Sequence, residues 1–196
     1  MIEKYILYIF IGIAILVCLR IYYESENLQL KCVISTVDGN KYCVRDRAMI
    51  HEAVDLLAHV VVKLTKLVDY MATKYPNNPD ILKLKRNYNP KKITETLPTS
   101  ELTAYSENKG EKMAFCLNKT KNTETLIDEN TLTFVGIHEL AHTMTTSIGH
   151  KQEFWKNFKF LLENAVKIGI YTPVDYKKNK QSYCGMLITD NPYYDL

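Results

Sequence analysis

Residues 138–142 read His-Glu-Leu-Ala-His, and this pentapeptide constrains the chain more than any other feature. Histidines at i and i+4 share one face of an α-helix, one turn apart. Two imidazoles so placed reach a single tetrahedral Zn²⁺, and the glutamate between them sits where it takes a proton from metal-bound water. The flanking residues Leu132, Phe134, Val135, Ile137, Leu140, Ala141 and Met144 predict a mostly buried helix from about Asn130 to Thr146. A buried His-Glu-His needs a use, so two idle surface histidines fit these flanks poorly.

A hydrolytic zinc site takes three protein ligands and leaves one position open. His150 follows His142 after seven residues, and Gly149 before it permits a tight reversal. It is the favoured third ligand. Glu163, 21 residues after His142, is the alternative, with Glu153 a weaker one. Thr143–Ser147 contains neither the glycine nor the third histidine that the metzincin pattern requires. His51 and His59 lie at i and i+8 on an earlier helix with no third ligand nearby in sequence, and are read as interface or core residues.

The amino terminus sets the second constraint. Tyr5–Leu19 is an unbroken apolar run of 15 residues, interrupted by Arg20 and continued by Ile21, Tyr22 and Tyr23. With Arg20 snorkelling to the headgroups the run meets the roughly 17–20 residues a bilayer span needs. Tyrosines at both ends suit the two interfaces. A cleaved signal peptide is the competing reading, but no small-x-small cleavage pattern follows. The expected organisation is a transmembrane anchor over 1–23, a linker over 24–29 and one domain over 30–196. The lipid bilayer is thus an expected partner through residues 5–23. The lysines and arginines flanking the run do not decide its topology.

Along the rest of the chain, Leu30–Thr36 and Lys41–Arg45 predict a hairpin about Val37-Asp38-Gly39-Asn40. Asp46 is the expected N-cap of a long helix to about Lys74, with Ile50, Ala53, Leu57, Val60, Leu64, Leu67 and Met71 on one stripe. Pro79 opens a short helix to about Tyr88. Leu102–Tyr105 and Lys112–Leu117 form a second hairpin, and a final helix runs from about Gln152 to Lys167. Its Phe154 and Trp155 are read as core anchors. Ser182–Asp190 forms a short strand folding back on the domain. The class is α+β with a small sheet and three main helices. An in-register turn at Asp38-Gly39 would pair Cys43 with Ile34, so Cys32, Cys43, Cys116 and Cys184 are read as buried free thiols. Lys plus Arg is 25 against 22 Asp plus Glu, too slight an excess to argue for nucleic-acid binding.

The segment from His138 to His142, then Gly149-His150-Lys151-Gln152-Glu153-Phe154-Trp155, resembles the WLM and SprT-like zinc peptidases. A wider pattern, VDGNKYCVRDR, ETLPTSELTAYSENKGEKMAFCL and PVDY…YCGMLITDNPYYDL, is similar to membrane-anchored WLM-like proteins of large DNA viruses. The resemblance implies a zincin-like domain with ligands His138, His142 and His150 and catalytic Glu139. It also implies that Lys112–Leu117 is the strand whose edge pairs with substrate. The oxyanion donor is open, with Tyr176 and Tyr183 as candidates. The expected function is a membrane-tethered metallopeptidase of a host-cell or virion membrane, hydrolysing a protein or peptide through zinc-bound water activated by Glu139. The alternative is a non-catalytic membrane or virion structural protein that keeps zinc for folding.

Overall fold

The computed structural model describes residues 2–23, 29–121 and 123–195. Most of the expected linker, residues 24–28, lies outside them. Helix α1 (Ile2–Tyr23) has 22 residues, about 33 Å at 1.5 Å per residue, against a hydrocarbon core of about 30 Å. Its Tyr5–Tyr22 stretch has mean hydropathy 2.3 and none of it is buried. It is therefore long and apolar enough to cross a membrane, a property that signal sequences share.

The domain begins with a hairpin of β1 (Leu30–Ile34) and β2 (Lys41–Arg45). Its register pairs Cys32 with Cys43, and the two form a disulfide. Both the register and the free-thiol expectation are corrected here. The turn is wider than a two-residue loop at Asp38-Gly39, since Ser35 N–H donates to the Asn40 carbonyl. That moves Cys43 opposite Cys32. Cys116 and Cys184 are also joined, across 68 residues. Gly185 N–H on the Lys119 carbonyl and Cys184 N–H on the Asn118 carbonyl bring the two cysteines together.

Helix α2 (Ile50–Lys74) buries the whole anticipated stripe from Ile50 to Met71. Asp46 does not cap it. The N-cap is Met49, with no side-chain hydrogen bond. Arg47 is drawn inside instead, where it pairs with buried Glu95 and donates to Asn118 Oδ1 at 2.6 Å. An ion pair so buried must keep its partners, which holds the preceding segment out of the helix. Asp46 turns to Lys31 at the surface, 3.5 Å away. Helix α3 (Pro79–Asn87) starts with Asn78 accepting from the N–H groups of Asp80 and Ile81.

A three-stranded sheet follows, in the order β3 (Ile93–Glu95), β5 (Lys112–Phe115), β4 (Ala104–Glu107). β3 runs parallel to β5 and β4 antiparallel. β5 is therefore the central strand, and β4 the edge. Helices α4 (Glu129–Met144) and α5 (Gln152–Lys167) complete the core. The carboxy-terminal segment is a hairpin rather than a single strand, β6 (Gln181–Tyr183) against β7 (Met186–Ile188). The class is α+β with small sheets, as expected.

Helix α4 is buried on nearly every side, the mark of a central helix. Asp128 caps it by accepting from Thr131 N–H at 2.8 Å. Gly136 lets it approach α2, since a Cβ there would stand 2.8 Å from Leu64 Cδ1. Gly110, at the β4–β5 turn, has φ +109°, and a Cβ would stand 2.5 Å from Thr143 Cγ2. These two glycines seat α4 between α2 and the edge hairpin.

Candidate metal centre

His138 and His142 project from α4 one turn apart, and His150 meets them from the loop before α5. Their ligand atoms all lie within 4.8 Å of one another. His150 Nε2 stands 3.0 Å from His138 Nε2 and 3.1 Å from His142 Nε2. Three nitrogens bound to one tetrahedral zinc at about 2.0–2.1 Å would stand roughly 3.3 Å apart, so the cradle fits an ion of that size. Burial, then His142 and His150, push the His138 imidazole down to about 3. Burial, then His150 and Lys109, push His142 down to about 4. Both rings are thus neutral at pH 7, with lone pairs free to ligate.

Phe154 is fully buried beneath the triad. Its ring centroid lies 4.3–4.8 Å from those of all three imidazoles. Trp155 is not the core anchor anticipated for it. It is 43% exposed, and its indole N–H donates to the His150 carbonyl at 3.1 Å.

The loop carrying His150 is held by charged groups from two directions. Lys109 Nζ donates to the carbonyls of Thr145 and Ser147 at 3.1 and 3.0 Å. The Glu153 carboxylate accepts from Thr146 N–H at 2.9 Å and Ser147 N–H at 3.0 Å. These contacts, Thr146 first, hold the Glu153 carboxyl down at about 2. Asn157 Nδ2 reaches Thr145 Oγ1 at 3.0 Å. Gly149 has φ +77°, the left-handed reversal expected before His150.

Glu139 is buried beside the histidines, and burial pushes its carboxyl up to about 8. A cation held by the three imidazoles would draw it back toward the ionised form. The histidines and Glu139 line a cleft whose other wall is β4 and its turn, with Leu102, Ala104, Tyr105, Ser106 and Lys109. The expectation that Lys112–Leu117 offers its edge to substrate is corrected: β4 covers that side of β5. Tyr176 and Tyr183 are buried and line no part of this cleft, so neither serves as donor there. Tyr183 donates to the Thr103 carbonyl. Tyr105 is the phenol on the cleft wall, and its alternating position in a four-residue strand gave no sign of this. Glu163 is exposed and lines a different cavity, with Asn78 and Asp80. His51 and His59 are exposed on α2, neither core residues nor part of a metal cluster among the described residues.

Three relatives come from large DNA viruses, all described as uncharacterized proteins. One from Acanthamoeba polyphaga mimivirus is 28% identical over 192 residues, covering 94% of this chain and 97% of its own. The unmatched part is shorter than the 22-residue α1, so the likeness reaches into that helix. One from Invertebrate iridescent virus 6 is 32% identical over 81 residues, 41% of this chain and 44% of its own. One from Invertebrate iridescent virus 3 is 34% identical over 83 residues, 42% and 50%. No protein-family model matches, and no solved structure matches.

Proposed function

We propose that the chain is a membrane-tethered zinc metallopeptidase, akin to the WLM and SprT-like enzymes over His138–Trp155. The observation that carries this reading is the meeting of three imidazole Nε2 atoms beside buried Glu139 in a cleft walled by an edge strand. His138, His142 and His150 would hold the metal. Zinc there would supply Lewis acidity to a peptide carbonyl and acidify water at its open position.

The chain's own groups do the rest. The free edge of β4 hydrogen-bonds the backbone of an extended peptide, which accepts many sequences. Glu139 takes a proton from the attacking water and returns it to the departing amine. Tyr105 donates to the carbonyl oxygen as charge builds on it. A closed structural site would need a fourth protein ligand, but the cluster has three among the described residues. Cys184 is bonded to Cys116 and offers no free thiolate. The two disulfides accord with a domain on the oxidising side of its membrane, with α1 as anchor.

The test is zinc content of the full-length protein in detergent by elemental analysis, alongside peptide hydrolysis. The expected result is about one zinc per chain, with hydrolysis lost in Glu139→Gln while zinc stays. No zinc after metal addition would overturn the reading.

A further inference from the structure

We propose that the rim formed by loop 97–103 and the β6–β7 hairpin rests on the bilayer that holds α1. The histidine cleft then opens at the membrane surface and receives membrane-proximal stretches of neighbouring proteins.

Chain length supplies the first constraint. Gln29 lies six residues after Tyr23, so even fully extended chain places it within about 20 Å of the end of α1. The second constraint is where Gln29 sits. Its Oε1 accepts from Thr99 Oγ1 at 3.3 Å. Arg45, the strand partner of Leu30, donates through Nε to the Thr96 carbonyl at 2.8 Å and through its guanidinium to the Leu97 carbonyl at 3.0 Å. The point where the chain enters the domain is thus fastened to loop 97–103.

That same loop reaches the site. Leu102, three residues after Thr99, lines the cleft with the three histidines. Thr103 joins the loop to the carboxy-terminal hairpin: its carbonyl accepts from Tyr183, and its Oγ1 lies 3.1 Å from Met186 Sδ. The rim is apolar at its tips, with Leu102, Met186 and Leu187 exposed by 57%, 50% and 52%. Beside them stand Lys119, whose carbonyl accepts from Ser182 Oγ and Gly185 N–H, and Lys121, whose Nζ donates to the carbonyls of Ser100 and Glu101. The acids near them are Glu101 and, bonded to Gln181, Asp128. Apolar tips flanked by lysines suit the headgroup region of a bilayer. Ile34 and Leu82 are as exposed but stand at the end of β1 opposite Leu30 and on α3, which packs against α2 and α4.

The placement of the rim rests on α1 staying in the membrane and not on zinc chemistry. The substrate class rests also on the peptidase reading. The test therefore reads position without hydrolysis. The full chain is placed in phosphatidylcholine–phosphatidylserine vesicles, with and without bromine on the acyl chains. Leu102→Trp and Leu187→Trp are compared with Ile34→Trp and Leu82→Trp, over the constant background of the one native tryptophan, Trp155. Tryptophan at 102 and 187 is expected to lose most of its added emission in brominated vesicles, and at 34 and 82 to keep it. Equal behaviour at all four positions, or quenching only at 34 or 82, overturns the proposal. Should a variant fail to fold, hydrogen exchange of the native chain decides: residues 97–103 exchange more slowly in vesicles than in detergent, or the rim does not touch lipid. Quenching at the rim without hydrolysis of any peptide would keep the rim and remove the peptidase.

Discussion

Helix α4 and the loop from Thr145 to Lys151 hold the same cluster by different means. His138 and His142 stand one turn apart because the backbone hydrogen bonds of a buried helix put them there. His150 has no such ladder. Its position depends on side chains borrowed from elsewhere: Lys109 from the edge hairpin, and Glu153, Trp155 and Asn157 from α5. A helix supplies two of the proposed ligands through periodicity alone, and the third requires tertiary contacts. Damage to the helix should therefore abolish the site, and damage to the loop contacts should grade it.

The largest effects belong to α4. Glu139→Gln keeps the side chain's size and removes its proton chemistry. Peptide hydrolysis should fall about 10²- to 10⁴-fold while zinc content is unchanged; equal loss of zinc would show that Glu139 holds the site together instead. His142→Ala should lose both. Next is the turn that buttresses α4. Gly110→Ala forces a Cβ into Thr143 at φ +109°, and overpacking of this kind costs about 1–3 kcal/mol. Urea unfolding of the metal-free protein checks it, and an unchanged midpoint would mean the turn shifts freely away from the helix.

The loop contacts come third. Lys109→Met and Glu153→Gln leave all three imidazoles in place and should weaken metal affinity about 10- to 100-fold, as groups supporting ligands do. Competition with a chelator measures this. If both variants bind as tightly as the native chain, His150 is positioned by the loop backbone alone. Glu153 also has a pH signature. Its carboxyl is held down at about 2, against an ordinary 4.5. A carboxylate depressed in the folded state stabilises above its unfolded pKa and loses that contribution as pH falls through the folded value. Thermal stability of the native protein should thus fall more steeply than that of Glu153→Gln between pH 4.5 and about 2.

The same contrast explains what was legible in the sequence. The stripe of α2, the start of α5 at Gln152 and the helical histidine pair follow from local periodicity and spacing. His150 was legible from ligand type and distance along the chain. Features made by long-range contacts were not. Strand β3 has three residues, one of them the buried charge Glu95, which no hydrophobic pattern would place inside. Its partner Arg47 moved the start of α2 past Asp46. Because β3 pairs with one side of β5, β4 becomes the outer edge, and the wall of the cleft changes with it. The cysteine pairs depended on a turn wider than the obvious Asp38-Gly39, which moves the partner of Cys43 by two residues, and on a fold-back of 68 residues.

The smallest effect comes from the most exposed member of the loop support. Trp155 donates one neutral hydrogen bond to the His150 carbonyl, 3.1 Å away, and its ring lies 5.7 Å from the His150 ring. Trp155→Phe removes the donor and keeps most of the aromatic surface. A neutral hydrogen bond contributes about 0.5–1.5 kcal/mol, so metal affinity should weaken by about two- to tenfold. The loss should be smaller than for Lys109→Met or Glu153→Gln, because those charged groups each hold two backbone groups of the loop. Chelator competition on the three variants side by side tests that order. If Trp155→Phe were the most damaging, the indole would be the main support of His150 and the two charged contacts its accessories.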